Sequence, residues 1–268
     1  MIYIKKILFT IFIIVFVTNF YAQENKIKIW NGLAPGTGDT LNNETYVDGR
    51  FRNIYQPELT AFLLDNRTIN TPTIIIFPGG GYTHLAYEKE GLKVAKFLNS
   101  NGINAFILKY RLNENLALID AQRAVKFIRA KAREFNINPD KIGIMGFSAG
   151  GHLAANMIIS ENKNYINDNI DSMNHIPNFV VLIYPWLQNL YKEVKNTFPP
   201  TFFIHASDDT RVPVEQSINF YNELIKKNTN VEMHIYNKGG HGFGMEKERG
   251  RSASWGNIFL EWLNSIEY

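Results

Sequence analysis

The side chains best suited to chemistry are a serine, two aspartates and a histidine, spread over the second half of the chain. Ser148 stands in "GFSAGG", between "DKIGIM" and "HLAANMII". Glycine surrenders the most chain entropy on folding, so Gly146 and Gly150 beside it need a local reason. The pattern G-x-S-x-G between a strand and a helix supplies one. It makes a sharp turn that lifts the hydroxyl clear of a sheet, and a side chain at either glycine would collide across that turn. A serine hydroxyl is a poor nucleophile at neutral pH and needs a base, and the base needs a carboxylate to fix its tautomer. "HASDDTRVP" sets Asp208 and Asp209 just past the apolar run "TFFIHA", and "NKGGHGFG" sets His241 just past "VEMHIY". At this level either aspartate can serve, the other capping the helix that begins near Val214.

Acyl transfer by such a relay also needs donors for the developing oxyanion, usually backbone N–H groups. "PGGGY" follows the apolar run "TPTIIIF", and its glycines let the backbone approach a substrate closely. The expected donors are Gly80, Gly81 and Ala149, the last because it follows the nucleophile. His152, His205 and His234 lie within a helix or strand pattern and are expected to pack and to bond locally. There is no HExxH or comparable ligand spacing, so neither a metal nor another cofactor is expected. A chain with no cysteine has no thiol nucleophile and no disulfide framework.

These residues need a scaffold that brings them together. Short β-branched or aromatic runs at 71–77, 103–110, 142–147, 179–184, 201–206 and 231–236 read as strands. Between them, apolar residues at helical spacing predict helices over 88–98, 117–135, 152–159 and 214–227. A last helix over 252–266 aligns Trp255, Phe259, Trp262 and Ile266 on one stripe. Strands alternating with helices imply a mainly parallel, doubly wound sheet in a single α/β domain. Sites in such sheets gather at the carboxyl ends of the strands, which is where all the candidate residues fall.

Length and charge narrow the function further. The 268 residues, 45% of them apolar, suffice for one sizeable core and leave no room for a second large domain. The formal charge of +3 is scattered rather than gathered into a basic block, so nucleic acid is not an expected partner. At the start, Lys5 and Lys6 precede an apolar run from Ile7 to Val17 and then Ala22, the layout of a secretory signal peptide over 1–22. An uncleaved anchor is the alternative. The run is shorter than the roughly 20 residues that span a bilayer, so export without stable membrane association is expected, to the periplasm or outside the cell. Residues 23–70 then form an irregular arm and the first strands, and 71–268 the catalytic domain.

Taken in order, "IWNGLAPG", "FPGGGY", "LKYRL", "DAQRAVKFIR", "NPDKIGIMGFSAGGHLA", "YPW", "SDDTRVP" and "KGGHGFG" resemble the α/β-hydrolases, and among them the BD-FAE-type esterases, a group with acetylxylan and feruloyl esterases. The resemblance covers nearly all of the chain beyond the leader. It implies Ser148 as nucleophile, His241 as base, the PGGGY loop in the oxyanion hole, and Asp208 rather than Asp209 as the acid. Pro78 departs from the wider esterase pattern, in which a histidine opens this loop, so that histidine's hydrogen bonds must be replaced. The function implied is a secreted serine carboxylesterase that deacetylates xylan or related oligosaccharides. A serine exopeptidase or lipase of the same fold is the alternative, and a non-catalytic carbohydrate-binding relative is the alternative of another class.

Overall fold

The structure is a computed structural model and describes residues 25–38, 43–163, 165–194 and 198–267. The expected leader over 1–22 lies outside the described residues. In chain order the strands are β1 (Asn25–Lys28), β2 (Thr45–Val47), β3 (Arg50–Arg52), β4 (Glu58–Phe62), β5 (Thr73–Phe77), β6 (Asn104–Lys109), β7 (Ile142–Phe147), β8 (Phe179–Ile183), β9 (Thr201–Ala206) and β10 (Val231–Tyr236). The α-helices are α1 (Lys93–Ser100), α2 (Glu114–Ala130), α3 (Ala132–Phe135), α4 (Ala149–Ile159), α5 (Glu215–Lys226) and α6 (Trp255–Ser265).

Eight of the strands form one sheet in the order β1-β4-β6-β5-β7-β8-β9-β10, while β2 and β3 pair as a separate antiparallel ribbon. The pairs β1/β4 and β4/β6 are antiparallel, and every pair from β6 to β10 is parallel. Strands β5 to β9 are buried along their whole length, which explains their unbroken apolar composition: both faces are covered by helices. The faces alternate. Ile75 and Phe77 pack with residues of α2, α4 and α5, whereas Ile74 and Ile76 pack with α1 and α6. The stripe expected on the last helix lies in that second cluster, with Trp255, Phe259, Trp262 and Ile266 all buried.

From β5 the chain crosses to β6 on one side and returns to β7 on the other. The connections therefore diverge above β5 and β7 and open a crevice at their carboxyl ends, the general place for a ligand in such sheets. The glycine loop leaves β5 and Ser148 leaves β7, so the crevice receives both.

Two expectations are corrected below. Residues 23–70 contribute strands to the main sheet, β4 pairing with β6 and β1 with β4. The arm is also tied in by arginines of the central domain. Arg111 binds the Pro35 carbonyl and the Thr37 hydroxyl while pairing with Asp120, and Arg123 donates to the Ile29 carbonyl with its guanidinium 4.6 Å from the Trp30 ring. The helix expected over 117–135 is two helices, the second closed by Asn136 in the left-handed conformation at φ 52°. The helix expected from 88 begins with a wide π-helical turn, Tyr87–Leu92, before α1 takes over.

Candidate active site

Ser148 occupies the turn from β7 to α4 with φ 50° and ψ −114°, outside the ordinary range for a residue with a side chain. The strain is held by its surroundings: its N–H donates to the Ile183 carbonyl at 3.1 Å, and its own carbonyl accepts from the N–H groups of His152 and Trp186. The flanking glycines are sterically required. A Cβ on Gly146 would stand 2.3 Å from the Gly150 carbonyl oxygen, and one on Gly150 would stand 2.0 Å from the Phe77 carbonyl oxygen.

The serine and the histidine expected from the sequence meet. Ser148 Oγ lies 2.8 Å from His241 Nε2, and His241 Nδ1 lies 2.7 Å from a carboxylate oxygen of Asp209. The carboxylate can only accept, so Nδ1 carries the ring proton and Nε2 is free to accept from the serine hydroxyl.

The carboxylate is Asp209 and not Asp208, contrary to the expectation. Asp208 turns the other way: it accepts the Gly240 N–H at 2.8 Å and lies 3.8 Å from Lys238 Nζ. Asp209 points inward because its second oxygen accepts the N–H groups of Arg211 and Val212, each at 2.9 Å, in a local turn that aims the carboxylate beneath the imidazole. His205 Nε2 closes the other side at 3.3 Å, held in turn by Ser217 and the Val212 carbonyl. Burial alone would push the Asp209 carboxyl up, but bonds from His205, His241 and Val212 outweigh it and hold the pKa well below the usual carboxylate range. The signal available in sequence was the turn itself, an aspartate two and three residues before the N–H groups it accepts.

The glycine loop is organised by a residue that sequence reasoning missed. Gly79 N–H donates to Glu90 at 2.7 Å, and the other oxygen of Glu90 accepts the Tyr184 hydroxyl at 2.9 Å. Tyr184 accepts the Gly244 N–H at 3.0 Å, and its ring lies 5.2 Å from that of His241. Glu90 sits on the π-helical turn and is buried, which pushes its carboxyl up against the opposing pull of the Gly79 and Tyr184 bonds. The Tyr110 hydroxyl donates to the Pro78 carbonyl at 2.5 Å. Glu90 and Tyr110 thus supply the anchoring that a histidine at position 78 would give.

With Gly79 and Ser148 N–H already engaged, the amides of Gly80, Gly81 and Ala149 have no partner among the described residues. Gly80 has φ 138°, and its Cβ would stand 1.9 Å from the His84 carbonyl oxygen, so no larger residue fits there.

Two clefts meet at Ser148. One, of about 350 Å³, is lined by Arg50, Thr83, Lys89, Arg211, His241 and Gly242. The other, of about 240 Å³, is lined by Gly81, Ala149, Trp186, Arg211 and Val212. Of the remaining histidines, His152 bonds the Tyr82 hydroxyl at 2.8 Å and His234 lies 2.6 Å from Glu232. Among the described residues no cluster of three or more His, Asp or Glu could hold a metal ion, and no helix is long and apolar enough to cross a membrane.

The BD-FAE family matches residues 59–183, and the prolyl oligopeptidase family matches 183–265. An acetylxylan esterase of Xylanibacter ruminicola is 31% identical, aligned over 70% of this chain and 44% of its own length. Endo-1,4-beta-xylanase B of Butyrivibrio fibrisolvens is 30% identical over 69% of this chain and 34% of its own. The chain therefore spans less than half the length of these curated relatives. The crystal structure of an acetyl ester-xyloside bifunctional hydrolase from Caldicellulosiruptor lactoaceticus superposes with a TM-score of 0.75 at 32% identity, covering 91% of this chain and 96% of that one. Identity at that level, sustained over 91% of this chain and 96% of the other, together with the match of the BD-FAE family to 59–183, makes this chain a member of the α/β-hydrolases.

Proposed function

We propose that the chain is a serine carboxylesterase that removes acetyl groups from xylan or a related plant polysaccharide or its oligosaccharides, by way of an acyl-enzyme. The carrying observation is the unbroken relay from Ser148 through His241 to Asp209 at the floor of an open cleft. His241 takes the serine proton as Oγ attacks the ester carbonyl, and Asp209 stabilises the imidazolium that forms. The amides of Gly80, Gly81 and Ala149 receive the negative oxygen. His241 then returns the proton to the departing alcohol oxygen, and water repeats the sequence on the acyl-enzyme.

Microscopic geometry sorts the two clefts. The alcohol must leave beside the imidazole that protonates it, so the cleft lined by His241 and Gly242 takes the alcohol. The acyl group occupies the smaller one, of about 240 Å³, against Trp186 and Val212, which is ample for acetyl. The names of the relatives, an acetylxylan esterase and an acetyl ester-xyloside hydrolase, support this choice of ester. Export is part of the proposal and rests on the pattern of residues 1–22.

The match of the prolyl oligopeptidase family to 183–265 favours a second reading, an exopeptidase, since that stretch carries the acid and the histidine. Purified protein is to be assayed on p-nitrophenyl acetate and octanoate, acetylated xylan and an aminoacyl p-nitroanilide, with a fluorophosphonate probe to label the nucleophile. Acetate release, label on Ser148 and loss of both in Ser148→Ala are expected. Anilide cleavage without acetate release would give the site to a peptidase, and fast turnover of octanoate alone to a lipase.

A further inference from the structure

The cleft assigned to the alcohol carries charge that the chemistry of ester hydrolysis does not use. Arg50, from β3 on the outlying ribbon, and Arg211, from the loop that carries Asp209, both line it beside Ser148 and His241. Arg52 stands close enough that all three guanidinium groups act on the imidazole of His84, whose pKa is lowered first by burial and then by Arg50, Arg52 and Arg211. None of the three has an ion pair among the described residues. The two arginines that tie the arm to the domain differ: Arg111 is paired with Asp120 and Arg123 with Asp168 and Asp171.

The other charges of the cleft do not cancel them. Lys89 is neutralised by Glu246 at 2.8 Å. The carboxyl of Glu90 is buried and turned toward Gly79 and Tyr184. Asp48 and Glu88 share an adjoining depression with Arg50, yet neither comes within ion-pairing distance of it. Unpaired cations lining a concave site raise the positive potential met by whatever enters. A guanidinium fork is shaped to receive a carboxylate through two parallel hydrogen bonds.

Building on the esterase reading above, we propose that the preferred substrate carries a carboxylate on its alcohol part, close to the acetylated hydroxyl, as in an oligosaccharide bearing uronic acid, and that Arg50 and Arg211 bind this carboxylate. Arg211 has the more restricted position, because its backbone N–H is fixed to Asp209 and its side chain borders both clefts.

The test compares acetate release from acetylated xylo-oligosaccharides decorated with glucuronic acid and from the same oligosaccharides after reduction of the carboxyl to an alcohol, which keeps the size and removes the charge. The charged form is expected to show a kcat/KM about tenfold higher at low salt, the scale of one well-formed hydrogen bond to an ion. That ratio should fall several-fold in about 0.5 M salt and approach unity in the double variant Arg50→Gln with Arg211→Gln. The salt series needs no variant, so it stands even if the substitutions impair folding. Equal rates on the two forms, or a preference untouched by both salt and the double variant, overturn the inference. If acetate leaves the reduced substrate with no preference for charge, the esterase reading survives and only this inference falls. If neither substrate nor p-nitrophenyl acetate is hydrolysed, both fall.

Discussion

At the scale of single residues, the relay turns on which of two adjacent carboxylates faces the imidazole. Asp209 meets His241 Nδ1 at 2.7 Å, whereas Asp208 only fastens the histidine loop through Gly240 N–H. Asp209→Asn should therefore lower kcat on p-nitrophenyl acetate by on the order of 10⁴, because an amide in that place favours the wrong tautomer. Asp208→Asn should stay within a few-fold of the parent, since the side-chain carbonyl still accepts the Gly240 N–H. A larger loss in the Asp208 variant than in the Asp209 variant would refute the assignment. The meeting of Ser148 with His241 was legible in sequence because each sits in a motif bounded by glycines after a strand. The acid was not, because neighbouring aspartates have the same chemistry and differ only in how a turn directs them. The resemblance to a family selected the wrong one, and the amides of Arg211 and Val212 decide the matter in space.

Among the elements, strands buried on both faces were the easiest to read: 142–147 and 201–206 have the expected bounds, as does the half-buried edge strand 231–236, and the others differ by a residue or two. Their apolar composition follows directly from two covered faces. Strand β4 was less visible, because it is only partly buried and its partner β6 lies far along the chain. The π-helical turn over Tyr87–Leu92 was not visible at all, since its sequence has the spacing of an ordinary helix. Yet that turn delivers Glu90 to the glycine loop, and wide turns of this kind recur at functional sites. Glu90 links Gly79 of the glycine loop to Gly244 of the histidine loop through Tyr184. Removing it in Glu90→Ala frees the loop that aims the oxyanion donors, and a misplacement of that kind costs about 10²-fold in rate. Glu90→Gln keeps an acceptor for Gly79 and a donor for the Tyr184 oxygen, so it should retain most activity. The pair separates positioning from packing if kcat falls in the alanine variant while KM changes little. Weaker inhibition by a boronic acid, which forms a tetrahedral adduct, should accompany that fall.

For the molecule as a whole, what unites arm, sheet and helical layer is a set of buried guanidinium groups rather than apolar packing alone. Arg123, fully buried on α2, reaches the Ile29 carbonyl of the arm, lies over Trp30 and pairs with Asp168 and Asp171 beyond α4. Its removal leaves buried Asp171 with only Lys126 Nζ, 4.0 Å away, as a counter-charge, beside the N–H groups of Tyr165, Ile166 and Asn167. Breaking a buried pair from one side costs about 3–5 kcal/mol, and the partial exposure of Asp168 argues for the lower end. Arg123→Ala should therefore melt well below the parent by circular dichroism. The same site sets part of the acid stability. The bond from Arg123 holds the Asp168 carboxyl down at about 2, against an ordinary value of 3.8. An acid whose folded pKa is lowered adds stability above its unfolded value and loses it as pH falls through the folded one. The parent should then lose stability to urea as pH drops from about 4 toward 2, with protons taken up on unfolding. In Arg123→Ala the carboxyl of Asp168 returns toward its ordinary value, so that part of the slope should flatten even though the protein is weaker throughout. An unchanged slope in the variant would mean that the acid limb belongs to other carboxylates, Asp209 beneath its two histidines being the next to test.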